Sequence, residues 1–274
     1  MLDFLKAVIL GVLQGLTEFL PISSSAHLRI FPDIVGWGDP GAAFTAVIQI
    51  GTELAVLIYF RNDLWRIGST WWLSLFRPEL RGHQDSRMGW YIIVGSLPIV
   101  VLGVLLRNVI ELEFRNLWIT GVTLIVLGVI LGVADRVGGT ARGVKDMTLT
   151  HSVLLGTAQA LALVPGVSRS GATISMGRLL GYDREAATRF AFLLAVPAVI
   201  GAGIFQLQDI PGGENSYGAF PTLVATVVSF VVGYSAIAWL LRYVSTNSYL
   251  PFVIYRIVLG VLVLTLLGFG VLTA

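Results

Sequence analysis

A chain of 274 residues that is 55% hydrophobic, only 12% charged and has a mean hydropathy of +0.83 excludes a soluble globular domain and reads as a polytopic membrane protein. A net charge of +2, with the basic residues in loops, offers no face for nucleic acid, and the lack of cysteine excludes a disulfide framework or a thiolate metal site.

In chain order, Ala7–Leu20 is apolar but short of the roughly 20 residues that span a bilayer. It breaks at Pro21, runs through three serines and continues as a second short helix at about Ala26–Ile34. Lys6 precedes it as in a signal peptide, but Glu18 and Pro21 stand where small cleavage-site residues belong, so the segment is read as retained. Segments long enough to cross are Ala42–Phe60, Trp90–Leu106, Leu117–Ala134, Ala187–Leu207, Gly218–Leu241 and Ile257–Leu272. Before the fourth of these, Ser152–Val164 repeats the first pattern, with a break at Pro165 and a second short helix at Gly171–Leu180. Broken backbone at membrane depth survives only inside protein or along a cavity, so two such hairpins point to a site.

The expected fold is all-α: six transmembrane helices plus two re-entrant helical hairpins in an inverted repeat. A slide of 145 residues aligns Gly11 with Gly156, Gln14 with Gln159, Leu16 with Leu161, Ser23 with Ser168 and Ser25 with Ser170. LPIVVLGVLL from Leu97 and LPFVIYRIVLG from Leu250 extend the likeness. One membrane domain, 1–274, thus divides into repeats at about 1–135 and 150–274. Three spans in each invert the second copy, so the hairpins meet near the midplane. Arg61, Arg66, Arg77, Arg81 and Arg87 crowd one loop and Arg136, Arg142 and Lys145 another, whereas the alternate loops hold only Arg107 and Arg115. This bias places both termini outside and opens the first hairpin outward.

Gln14 and Glu18 share a helix face, and a carboxylate in the apolar zone costs about 2.5–3.5 kcal/mol on insertion scales, so it needs a partner or a function. Ser23, Ser24 and Ser25 can cap the second short helix. Beside His27 they also offer an anion site and a nucleophile with a nearby base. Arg169, between Ser168 and Ser170 and ahead of Gly171 and Ala172, adds a guanidinium whose fork fits phosphate oxygens. A salt bridge to Glu18 alone is the plainer alternative. Gln49 and Glu53 are read as residues that back the site or support the hairpin, and Arg256 as a residue that snorkels or pairs with a carbonyl. Trp71, Trp72, Trp90 and Trp118 suit an interfacial belt.

QGLTEFLPISSSAH with PGVSRSGATIS resembles the bacterial undecaprenyl pyrophosphate phosphatase family, the bacitracin-resistance proteins. The likeness covers essentially the whole chain, including IQIGTELAVL, FLLAVPAVIGA and PFVIYR. It implies a hydrolase of the bacterial cytoplasmic membrane that converts the C55 isoprenyl diphosphate carrier to its monophosphate at the outer face. That recycles the lipid for peptidoglycan synthesis and confers bacitracin resistance. The family's catalytic positions fall on Glu18, Ser24, His27 and Arg169, with Gln14, Ser23, Ser25, Ser168, Ser170, Gly171, Ala172 and Thr173 around the substrate. Whether Ser24 or His27 attacks phosphorus stays open. A divalent cation, Mg²⁺ or Ca²⁺, is expected on Glu18 and Gln14, although glutamine removes one carboxylate from the family's (E/Q)xxxE motif. Ala26 stands where the family usually has glycine. The expected partners are the bilayer and a long-chain prenyl diphosphate, not nucleic acid; a homodimer is left open. The rivals are a lipid flippase or secondary transporter of the same architecture, and an acid phosphatase of the lipid-phosphatase type. The latter needs a histidine after the arginine, and the last one here is His151.

Overall fold

The computed structural model describes residues 2–106, 116–206 and 215–273, and among them forms eleven α-helices and no strand. The helices are α1 (Leu2–Phe19), α2 (Ser24–Ile34), α3 (Ala42–Tyr59), α4 (Arg61–Phe76), α5 (Gln84–Leu105), α6 (Leu117–Val137), α7 (Leu149–Ala160), α8 (Arg169–Leu179), α9 (Arg184–Gln206), α10 (Ala219–Val244) and α11 (Leu250–Gly268). Four of them, α5, α6, α10 and α11, are long and apolar enough to cross a membrane, and α3 with α4 forms a fifth candidate bent by 70°. The expected span Ala187–Leu207 falls on α9, and its last residue lies outside the described residues, as do Arg107, Arg115 and 208–214.

Two boundaries differ from the sequence reading. The last span begins at Leu250 rather than Ile257, because Pro251 suits a first helical turn, where its missing N–H costs nothing. The arginine-rich loop after α3 is helical through Phe76. Its polar residues hid an amphipathic helix: Trp65, Trp72 and Phe76 face outward while Ile67 and Ser74 are buried.

Small residues let the helices approach closely, as packing between membrane helices requires. A Cβ on Gly11 of α1 would lie 2.5 Å from the Ala225 carbonyl oxygen of α10, and one on Gly156 of α7 would lie 1.8 Å from the Gly95 oxygen of α5. Hydroxyls tie the same layers. Ser229 Oγ donates to Ile48 O at 2.6 Å, joining α10 to α3, and Ser96 Oγ donates to Leu194 O at 3.2 Å, joining α5 to α9.

The breaks in the two hairpins share one backbone device. Ser23 (φ 76°) and Ser168 (φ 70°) are left-handed, and each immediately precedes an 11-residue helix, α2 or α8. A serine held there costs about 1 kcal/mol or more and persists only where its surroundings over-determine it. At one end of the bundle, buried Asp135 ties α6 to α8, to α9 and to the residue that caps α11. It pairs with Arg184 at 2.6 Å and Arg178 at 3.3 Å and accepts the Tyr249 N–H at 3.0 Å.

Candidate active site

The site forms where the two hairpin tips touch. The 3.6-residue repeat of α1 sets Gln14 and Glu18 one above the other. Gln14 is buried and its Nε2 donates to Glu18 Oε2 at 3.2 Å and to Thr52 Oγ1 of α3 at 3.2 Å. The left-handed turn at Ser23 folds the start of α2 back over the end of α1, and Ser24 Oγ donates to Glu18 Oε2 at 2.7 Å. From the second hairpin, Arg169 Nη2 donates to Glu18 Oε1, and Ser170 Oγ donates to Leu20 O at 3.2 Å. One carboxylate thus holds a hydroxyl on one oxygen and a guanidinium on the other.

Glu18, Arg169 and Ser170 open onto a narrow cleft. Glu18, Thr52, Glu53, Arg169 and Ser170 form its polar wall, and Phe19, Val56, Phe192, Ala195 and Val199 are among its apolar lining. A carboxylate within 2.7 Å of a hydroxyl is a base beside a nucleophile. A guanidinium at the same carboxylate supplies fixed positive charge for phosphoryl oxygens. The apolar wall suits hydrocarbon.

His27 is not part of this group. It is buried, with Nδ1 2.7 Å from Ser23 O and Nε2 2.6 Å from Tyr255 Oη, its ring stacked on the phenol at 5.5 Å. A carbonyl only accepts, so in the neutral ring Nδ1 carries the proton and Nε2 accepts from Tyr255. Both nitrogens are engaged away from Ser24 and Glu18, one at the Ser23 carbonyl and the other at Tyr255.

The remaining site residues from the sequence brace the tips. Ser23 and Ser25 have their hydroxyls 3.2 Å apart, as do Ser168 and Ser170. Ser168 Oγ accepts the Gly171 N–H at 3.2 Å, the Ala172 N–H donates to Ser168 O at 2.9 Å, and Thr173 Oγ1 donates to Arg169 O at 2.9 Å. The amides of Gly171 and Ala172, expected to hold an anion, are therefore spent on capping α8, and buried Ala172 and Thr173 stand behind the tip.

Three residues were missed or misplaced. Thr52 anchors Gln14, and Tyr255 anchors His27. Glu53, read as backing the site or the hairpin, lines the cleft beside Glu18 and Arg169. Its Oε1 accepts from Gln49 Nε2 at 3.4 Å, and Gly203 leaves it room, since a Cβ there would lie 2.4 Å from its Oε2. A carboxylate in an otherwise apolar span was the available signal.

Among the described residues no cluster of three or more His, Asp or Glu side chains could hold a metal. One buried acceptor, Gln14 Oε1, has no hydrogen-bond partner, a turn from Glu18. Two hard oxygen donors of this kind fit Mg²⁺ or Ca²⁺ when water and substrate phosphates complete the ligand set.

Residues 7–262 match the family described as bacitracin resistance protein BacA. The chain is 70% identical over 274 residues to an undecaprenyl-diphosphatase of a Nocardioides species, covering all of both chains. It is 57% identical to the undecaprenyl-diphosphatase of Thermobifida fusca, over 99% of this chain and 93% of that one. It is 56% identical to the undecaprenyl-diphosphatase of Micrococcus luteus over the whole of both.

Proposed function

The chain belongs to the family of the bacitracin resistance protein BacA, and from that premise we propose that it is an undecaprenyl-diphosphatase whose nucleophile is Ser24. The observation that carries this reading is the Glu18 carboxylate, which accepts from Ser24 Oγ at 2.7 Å while bonded to Arg169 of the other hairpin.

The diphosphate enters between the tips, and its first isoprene units lie along Val56, Ala195 and Val199. Arg169 swings from Glu18 to the terminal phosphoryl oxygens, where its fork follows the charge through the transfer. Glu18, freed of the guanidinium, takes the Ser24 proton as Oγ attacks the terminal phosphorus. The bond to the bridging oxygen breaks, and undecaprenyl phosphate departs with its electron pair. Glu18 passes the proton to the departing phosphate; water then gives a proton to Glu18 as it attacks the phosphoserine, the Oγ–P bond breaks, and Ser24 Oγ takes that proton from Glu18 as inorganic phosphate leaves. A divalent cation on Glu18 and Gln14 Oε1, when bound, adds charge neutralisation for the phosphates. A histidyl route requires His27 to give up both of its bonds, which favours the serine.

The finer architecture belongs to the same proposal: six spans and two re-entrant hairpins in an inverted repeat, with the cleft open to the outer face of the bacterial cytoplasmic membrane. The paired close approaches, the paired hydroxyl ties and the two left-handed serines support it. The activity at that face recycles the lipid carrier for peptidoglycan synthesis and confers bacitracin resistance. Neither the comparisons nor the described residues support a homodimer, and none is proposed. Quench of the purified protein in neutral denaturing detergent, which preserves both phosphoserine and acid-labile phosphohistidine, after mixing with terminally radiolabelled undecaprenyl diphosphate tests the reading. Label is expected on Ser24 and lost in Ser24→Ala; label on His27 instead overturns the serine assignment.

A further inference from the structure

Arg256 sits in the second turn of α11, fully buried, behind both hairpin tips. Its guanidinium donates to four backbone carbonyls: Nη1 to Pro21 O at 3.1 Å, Nη2 to Gly166 O at 2.8 Å and Val167 O at 3.0 Å, and Nε to Leu124 O at 3.3 Å. Pro21 lies in the break of the first hairpin, and Gly166 and Val167 lie in the break of the second. Such breaks free backbone carbonyls that lipid cannot satisfy. Among the described residues no carboxylate lies within ion-pair distance of Arg256, so its charge is met by these dipoles. A cation at membrane depth is expensive and is retained where it serves a function.

We propose that Arg256 is the positioning residue of the active site: a single guanidinium locks the two tips at the separation that lets Arg169 meet Glu18 and the phosphate. This rests on the reading that the tips together form the phosphate site. The fork suits the task because it is planar and rigid, with donors that diverge towards separate segments. A lysine ammonium is a single point on a flexible stem and cannot span Pro21, Val167 and Leu124 at once. Gly171 at the start of α8 leaves the guanidinium room, since a Cβ there would lie 3.0 Å from Nη1. The neighbouring residue adds a second grip on the first tip, Tyr255 Oη bonding His27 at 2.6 Å. Arg256 reaches both tips, so the register between them depends on it.

The absence of cysteine makes the test clean. Spin labels on Arg29→Cys of α2 and Leu161→Cys in the turn just after α7, both exposed positions, report the distance between the hairpins. A second pair, Val122→Cys with Val261→Cys, reports the α6–α11 packing. With Arg256 intact the hairpin distance is expected to be narrow. In Arg256→Gln and Arg256→Lys it broadens while the α6–α11 distance holds, and turnover falls about 100-fold, the scale of an ångström misplacement. Arg256→Lys covers the case in which the glutamine variant does not fold. An unchanged hairpin distance, or equal broadening of both pairs, overturns the proposal. If the hairpins loosen as expected but the parent protein releases no phosphate from the lipid diphosphate, the positioning role stands and the functional reading fails.

Discussion

Glu18→Gln removes the charge on which the site turns and keeps the side chain's size. In the parent, Oε2 accepts from Ser24 at 2.7 Å and from Gln14 at 3.2 Å, and Oε1 accepts from Arg169. The amide cannot take the serine proton, and loss of a positioned general base costs about 10²–10⁴ in rate. That corresponds to roughly 2.7–5.5 kcal/mol of transition-state stabilisation. Folding is also affected, because Arg169 loses its partner. Arg169 is 21% exposed and Glu18 11%, so the penalty stays below that of a fully buried pair, at about 1–3 kcal/mol. The assay is phosphate release from undecaprenyl diphosphate by protein purified in detergent, with thermal unfolding followed on the same samples. A variant that unfolds slightly earlier and turns over at least 100-fold more slowly agrees with the mechanism. Turnover within about threefold of the parent refutes Glu18 as the base.

Arg169→Lys keeps the charge but loses the fork that fits phosphate oxygens. Turnover is expected to fall by about 10² or more, with the protein still folded, and a rate equal to the parent's would show that a point charge suffices. Gly156→Ala acts on stability alone. The new Cβ would lie 1.8 Å from Gly95 O, so α5 and α7 must separate, at a cost of about 1–3 kcal/mol. A lowered unfolding temperature in detergent checks this, and an unchanged one would show that the crossing is looser than described.

The membrane class, the helical composition and the two interrupted segments were legible in the sequence because they rest on local chemistry. Long apolar runs have one stable form in lipid, and proline followed by serines interrupts a helix wherever it occurs. Glu18, Ser24 and Arg169 were legible too, since ionisable and nucleophilic groups at membrane depth are costly enough to stand out. The helix at 61–76 was not, because its charges masked an amphipathic face that only packing against α5 reveals.

Partner choice was decided by the tertiary structure. His27 Nε2 meets Tyr255, 228 residues away, while Glu18 takes both Ser24 and an arginine 151 residues away. Glu53 faces the cleft rather than the hairpin, and Arg256 serves both breaks at once. The sequence alone determined which groups need a partner, because burial sets that cost residue by residue. Which partner each one finds depends on helices distant in sequence coming to rest side by side, and no local periodicity encodes that.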